Sequence, residues 1–162
     1  MKKILIALLL PLLLAGCAKA PERADIAATT LPVYDFTQAL CQGTDLTVGR
    51  LITESVSCLH DYSLNVNQVR QAERAQTVVL SGAGLEDFME DILVGKPTVD
   101  ASRGIPLLEG EEHEEHDHHE EHHAHDGHDH GDWDPHVWLD PDNAAAMVRR
   151  LAADLALRWP EH

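Results

Sequence analysis

This 162-residue sequence contains 12 histidines, whose imidazole side chains are suited to bind a metal. Nine of them lie among ten acidic residues, with no basic residue, in the histidine-rich segment, residues 111–132. Neutral imidazole suits borderline divalent ions such as zinc, copper and nickel. The segment predicts metal capture at several weak, interchangeable sites, and a solvated acidic linker without a metal role is the alternative. The nine are His113, His116, His118, His119, His122, His123, His125, His128 and His130.

Two further histidines, His60 in SCLHDYS and His136 in WDPHVWLD, lie in sequence typical of folded structure. Each has an aspartate nearby: Asp61 for His60, and Asp134 or Asp140 for His136. A metal-ligating imidazole commonly donates its other ring N–H to a carboxylate, which fixes the tautomer and makes the ligand nitrogen more basic. The spacing alone is a weak signal, because a histidine beside an aspartate is more often a surface pair. These two histidines are nevertheless the candidates for a specific site held by the fold.

The charge of the chain is concentrated in the histidine-rich segment. The formal net charge is −16, of which this segment supplies −10 and the rest of the chain −6. Such an excess of acid disfavours nucleic acid as a partner and favours cations. Residues 109–132 contain almost no apolar side chains to offset the entropy of ordering the chain, so they predict a mobile loop.

The N-terminus, MKKILIALLLPLLLAGCAKA, predicts an exported protein. Two lysines precede an apolar run too short for a stable membrane-spanning helix, and small residues follow it. Residues 1–16 therefore predict a signal peptide and residues 17–25 a linker. The sequence LAGC resembles the bacterial lipobox, which implies lipidation of Cys17; an ordinary secretory signal or an uncleaved anchor is the alternative. Cys41 and Cys58 are then left in an oxidising compartment, either as a disulfide or as two buried thiols.

Strand and helix patterns alternate along the rest of the chain. Short apolar runs predict strands at residues 26–30, 46–52, 77–80 and 97–100. Helices are predicted from Pro32 to about Gly43, after an N-cap at Asn65, after the turn at residues 81–84, and from a cap at Asp140 to Pro160. The alternation predicts an α/β sandwich with a parallel sheet, and ligands bind at the carboxyl ends of such strands. The connection that contains His60 follows the second strand at that edge.

Periodic positions predict which side of each helix is buried. The predicted inner side chains are Val33, Phe36, Ala39 and Leu40 in the first helix; Val66, Val69 and Ala72 in the second; Leu85, Phe88, Met89, Ile92 and Leu93 in the third; and Ala144, Met147, Val148, Leu151 and Leu155 in the fourth.

The order of the motifs resembles that of a known family. HDY, then VVLSGAGLEDFMEDIL, a histidine-rich insertion and DPHVWLDP together resemble the N-terminal lobe of the zinc and manganese ABC-transporter substrate-binding lipoproteins, the ZnuA/TroA group. The resemblance covers residues 26–162. It implies two α/β lobes joined by a long helix, with the metal in the cleft between them. It also implies that His60 and His136 are two of the metal ligands.

The resemblance implies a receptor without catalytic activity. Such a lipoprotein is anchored at the outer face of the cytoplasmic membrane or in the periplasm, binds Zn(II) rather than Mn(II) when it carries a histidine-rich loop, and delivers the metal to an ABC permease. Family members have a C-terminal lobe with further ligands, which these 162 residues do not include. We therefore expect either a fragment or truncated product, or a partner chain that supplies the missing ligands. The alternatives are a stand-alone histidine-rich metal buffer and a zinc hydrolase, for which the sequence offers no oxyanion motif.

Overall fold

A four-stranded parallel sheet forms the centre of the protein. The computed structural model describes residues 24–55, 59, 62–109 and 133–162. Its strands lie in the order β2-β1-β3-β4, and every neighbouring pair is parallel. The α/β fold with a parallel sheet is therefore confirmed. The strands are β1 (Ile26–Ala28), β2 (Val48–Arg50), β3 (Thr77–Leu80) and β4 (Thr98–Asp100).

The helices begin where the sequence places their caps. The Asn65 carboxamide oxygen accepts from the backbone N–H groups of the next turn, and Asp140 Oδ1 accepts from two at the start of the last helix. Pro32 and Pro141 lie in first turns, where the missing N–H would have had no intrahelical partner. The helices are α1 (Leu31–Leu40), α2 (Val66–Arg74), α3 (Glu90–Leu93) and α4 (Pro141–Arg158), with 3₁₀ turns at Asp87–Met89 and Val137–Leu139.

Apolar side chains cover both faces of the sheet. Successive strand residues point to opposite faces, so Ile26 and Ala28 pack with α1 and α4, whereas Ala27 packs with α2. The fully buried Met147 and Leu151 place the inner side of α4 against the first face. Helices on both faces explain why β1 is buried along its whole length.

Some predicted buried positions are wrong. Ala39 is exposed on α1, and Thr37 is fully buried in its place, because the buried line of this helix runs from Val33 to Thr37. Val66 is 65% exposed at the first position of α2, and Gln68 is buried there instead. The hydrophobic pattern misassigned an inner position in each helix, because a polar side chain, Thr37 in α1 and Gln68 in α2, is buried there.

The third predicted helix is shorter than its apolar pattern suggests. The turn after β3 places Gly82 and Gly84 at φ values of 86° and 79°, which favour glycine. The chain then passes through a 3₁₀ turn, and α3 contains only four residues. Strand β2 is likewise shorter than predicted, because only its middle three residues pair with β1.

Cys41 is a free, buried thiol among the described residues, and its disulfide with Cys58 stays a prediction. Cys41 packs in the cluster formed by α1, α4 and one face of the sheet. Burial raises the pKa of the Cys41 thiol. Cys58 itself lies outside the described residues.

Several sequence predictions fall on residues that the structure does not describe. These are the signal peptide and Cys17 within residues 1–23, His60 and Asp61, and residues 110–132 with all nine clustered histidines. Within the described part of the chain, no helix combines the length and apolar character required to cross a lipid bilayer.

Candidate metal centre

His136 lies on a short segment that buried neighbours hold in place. Pro135 and Val137 are buried on either side of it, so the His136 side chain points outward and is 57% exposed. The Leu139 N–H donates to the His136 carbonyl oxygen at 3.0 Å, which closes the 3₁₀ turn that leads into α4. The ring also contacts Trp138 edge-on, with 5.5 Å between ring centroids. The fold thus presents this imidazole to solvent from a fixed backbone.

Asp134 determines which ring nitrogen of His136 is free. Its Oδ1 atom accepts from the His136 backbone N–H at 2.9 Å and lies 2.7 Å from Nδ1. The backbone hydrogen bond, together with the ring contact, lowers the pKa of Asp134, so this carboxylate is ionised and only accepts. Nδ1 must then carry the proton, and the lone pair of a neutral ring lies on Nε2. His136 is therefore oriented to bind a cation through Nε2.

Of the two aspartates that the sequence offers to His136, Asp134 is the partner. The Asp140 Oδ1 atom accepts from the N–H groups of Asp142 and Asn143, at 2.8 and 3.1 Å, and caps α4. Asp140 thus helps to hold the helix that follows the site, whereas Asp134 contacts the imidazole itself.

An open groove of about 370 Å³ lies beside His136. Leu108 and Leu139 both line it and are each 73% exposed. The Asp134 N–H donates to the Leu108 carbonyl oxygen at 2.9 Å, and Glu109 bridges Trp133 in antiparallel fashion. The two residues that flank the undescribed residues 110–132 are therefore paired close to this groove.

The described residues contain only one half of the predicted site. His60 and Asp61 lie outside them. Among the residues that the structure does describe, no three His, Cys, Asp or Glu side chains are grouped closely enough to hold a metal ion. His136 with Asp134 is thus an imidazole held by a carboxylate, and the described residues contain no complete metal site.

Glu86 is a buried carboxylate that the sequence analysis did not single out. It is 5% exposed and accepts from Thr29 Oγ1 at 2.6 Å, from the Ser81 N–H at 2.8 Å and from the Gly82 N–H at 3.0 Å. Burial, despite these donors, raises its pKa. Glu86 joins the segments that follow β1 and β3, and its signal in the sequence is an acid two residues after a glycine-rich turn.

Comparisons with known proteins find similar sequences and structures. The family model described as zinc-uptake complex component A, periplasmic (ZnuA) matches residues 26–162. The zinc-binding lipoprotein AdcA of Streptococcus pneumoniae is 33% identical over 171 residues, which cover 99% of this chain and 33% of that protein. The crystal structure of Zn(II)-bound AdcA from the same species matches with a TM-score of 0.66 and 25% identity, over 86% of this chain and 27% of that one.

A more distant structure shares the fold alone. The Mn-bound periplasmic metal binding protein from candidatus Liberibacter asiaticus has a TM-score of 0.66 at 17% identity, over 86% of this chain and 47% of that one. The chain spans about a third of the length of the curated relatives that it matches.

Proposed function

The chain belongs to the ZnuA family of periplasmic zinc-uptake components, and from this premise we propose that it is an extracytoplasmic receptor that binds Zn(II) and delivers it to an ABC permease. The family membership confirms the resemblance of the motifs. Because the family is one of uptake components, the proposed activity is binding and release, without catalysis of a reaction.

The orientation of His136 is the observation that carries the proposal. Asp134 Oδ1 lies 2.7 Å from Nδ1, which leaves Nε2 as the nitrogen that we propose binds zinc. A carboxylate hydrogen-bonded to an imidazole is the usual support of a zinc-binding histidine. We propose His60 as the second ligand, from its HDY motif in the connection after β2.

Two imidazoles fill half of a tetrahedral zinc site. We propose that the remaining ligands come from groups outside the described residues, either in this polypeptide or in a partner chain. The preference for zinc over manganese rests on the related zinc-binding lipoprotein and on the nine histidines among residues 111–132. We propose that these imidazoles collect zinc at several weak sites, because the composition of the segment predicts no scaffold that would hold the ligands in place.

The proposed location is the outer face of the cytoplasmic membrane or the periplasm. Two observations support it: a related protein is named a lipoprotein, and Cys17 follows a lipobox-like sequence. Lipid chains on Cys17 would anchor a folded domain at the membrane surface without a spanning helix.

Zinc titration calorimetry of the full chain in mild detergent tests the proposal. We expect His60→Ala with His136→Ala to remove the tightest site, and deletion of residues 113–130 to lower the number of bound ions while the tightest site persists. His162→Ala is the matched control, because this histidine also lies near an aspartate, with Nε2 3.2 Å from Asp45 Oδ1.

Two results would overturn the receptor function. If the double substitution left the tightest site intact, His60 and His136 would not be the ligands. If the deletion alone abolished nearly all binding, the chain would instead be a histidine-rich metal buffer.

A further inference from the structure

We propose that Gln68 is a positioning residue for zinc binding, because its side chain closes the base of the connection between β2 and α2 in which His60 lies. This inference rests on the receptor function proposed above. It is argued from described residues within that connection: Leu51 and Glu54 near its start, and Tyr62 and Asn65 near its end.

The orientation of the Gln68 carboxamide is determined by its neighbours. Gln68 is 4% exposed, and its Oε1 atom accepts from the Asn65 N–H at 2.8 Å. Its Nε2 atom donates to the Leu51 carbonyl oxygen at 2.9 Å. Exchanging the two atoms would set an NH₂ group against an N–H and an oxygen against a carbonyl oxygen, so only one orientation satisfies both neighbours.

The amide nitrogen of Gln68 also contacts the two sides of the connection. It lies 2.7 Å from the Tyr62 hydroxyl and 3.0 Å from Glu54 Oε2. The Tyr62 hydroxyl donates to the same Glu54 oxygen at 3.0 Å. These three polar groups form a triangle that holds together residues eight positions apart in sequence.

Tyr62 is fixed by its ring as well as by its hydroxyl. The ring contacts Phe88 edge-on, with 5.6 Å between centroids, and packs in the cluster that covers the α2 face of the sheet. The connection therefore returns to the fold at a defined place. A tight metal site needs ligands held by a scaffold, so we infer that the described residues on both sides of His60 in the sequence support it.

The contacts that close the connection are distinct from those that cap α2. The capping box of this helix uses Gln68 Oε1, the Gln68 N–H and the Asn65 side chain. It does not use Gln68 Nε2 or Tyr62. A variant that removes only the Tyr62 hydroxyl therefore disturbs the triangle and leaves the helix cap and the ring contact with Phe88 in place.

Tyr62→Phe is the principal test, with Tyr34→Phe as its matched control. The Tyr34 hydroxyl also accepts from a glutamine amide, Gln38 Nε2, at 2.9 Å, but it lies on α1 away from the connection. Zinc affinity of the tightest site in the full chain is measured by competition with a chelator, and stability by the urea midpoint of unfolding. We expect Tyr62→Phe to weaken this affinity about fivefold, as the loss of one net hydrogen bond would, Tyr34→Phe to leave it unchanged, and the two midpoints to be alike.

Gln68→Glu gives a second measurement. It retains an acceptor for the Asn65 N–H but places an oxygen against the Leu51 carbonyl and Glu54, so we expect a larger loss of affinity than in Tyr62→Phe. If this variant fails to fold, the zinc affinity of Tyr62→Phe alone tests the positioning role.

The outcomes separate this inference from the proposed function. Unchanged affinity in Tyr62→Phe, while His136→Ala weakens binding, overturns the positioning role alone. Unchanged affinity in His136→Ala overturns the receptor site itself. An equal loss in Tyr62→Phe and Tyr34→Phe also overturns the positioning role, since the effect would then follow from losing any such hydroxyl.

Discussion

Replacing Asp134 with alanine is expected to weaken zinc binding through His136 while leaving the protein folded. Its Oδ1 atom is the acceptor for both the His136 N–H and Nδ1, at 2.9 and 2.7 Å. Alanine removes both bonds, so the ring is free to rotate and Nε2 can take the proton instead of Nδ1. Asp134→Asn is the milder change, because an amide oxygen at the Oδ1 position still accepts both bonds but carries no charge.

The expected loss is larger for binding than for folding. The side chains of His136 and Asp134 are 57% and 45% exposed, so water replaces their mutual contact at a cost of about 1 kcal/mol or less in unfolding free energy. Removing the carboxylate partner of a ligating histidine typically lowers metal affinity ~10–100-fold. For Asp134→Ala we expect about tenfold or more, which corresponds to ~1.4 kcal/mol of binding free energy. Asp134→Asn should lie between alanine and the wild type.

Competition between the full chain and a zinc chelator measures this loss for the tightest site. Asp142→Asn is the control, because it removes an equal charge from the first turn of α4, where Asp142 is exposed. A uniform effect of net charge would weaken zinc binding in both variants. If Asp134→Ala bound zinc like the wild type while His136→Ala did not, Asp134 would have no part in orienting the ligand.

Three further predictions follow from the core, from Glu86 and from the histidine-rich segment. Leu151→Ala should lower the unfolding free energy by ~2–5 kcal/mol, because this side chain is fully buried in α4; a loss below about 1 kcal/mol in urea unfolding would contradict the packing. The raised pKa of Glu86 means that its contribution to stability is full below about pH 4.5 and is lost as pH rises toward the raised value. The unfolding free energy of Glu86→Gln, relative to that of the wild type, should therefore increase as pH rises above 4.5. If the two unfolding free energies changed with pH in parallel, Glu86 would not be a buried carboxylate with a raised pKa. The number of zinc ions held by residues 113–130 should fall steeply below about pH 6, where histidine is protonated; equilibrium dialysis at several pH values measures this number, and a constant value would exclude imidazole ligands.

Local patterns predicted most of the fold. The strand at residues 77–80 and the caps at Asn65 and Asp140 were predicted correctly, because they depend on neighbouring residues only. The parallel sheet followed from the alternation of strands and helices. Such features need no knowledge of which distant residues meet.

The buried polar side chains were not predicted. Gln68 and Glu86 occupy inner positions because their partners, such as Leu51 and Thr29, come from distant parts of the chain. Their local sequences, a capping position after Asn65 for Gln68 and an acid after a glycine-rich turn for Glu86, do not by themselves indicate burial. At the site, the motif identified His136, but only the structure distinguished Asp134 from Asp140 as its hydrogen-bond partner.

The most direct test of the receptor function is to observe the imidazole nitrogens while zinc binds. A long-range ¹H–¹⁵N correlation spectrum of the histidine rings, recorded on the full chain with one equivalent of zinc, separates Nδ1 from Nε2 at each ring. We expect His136 Nε2 to shift on zinc binding while Nδ1, held by Asp134, keeps its proton. Unchanged His136 resonances, with shifts confined to the histidines among residues 113–130, would contradict the account.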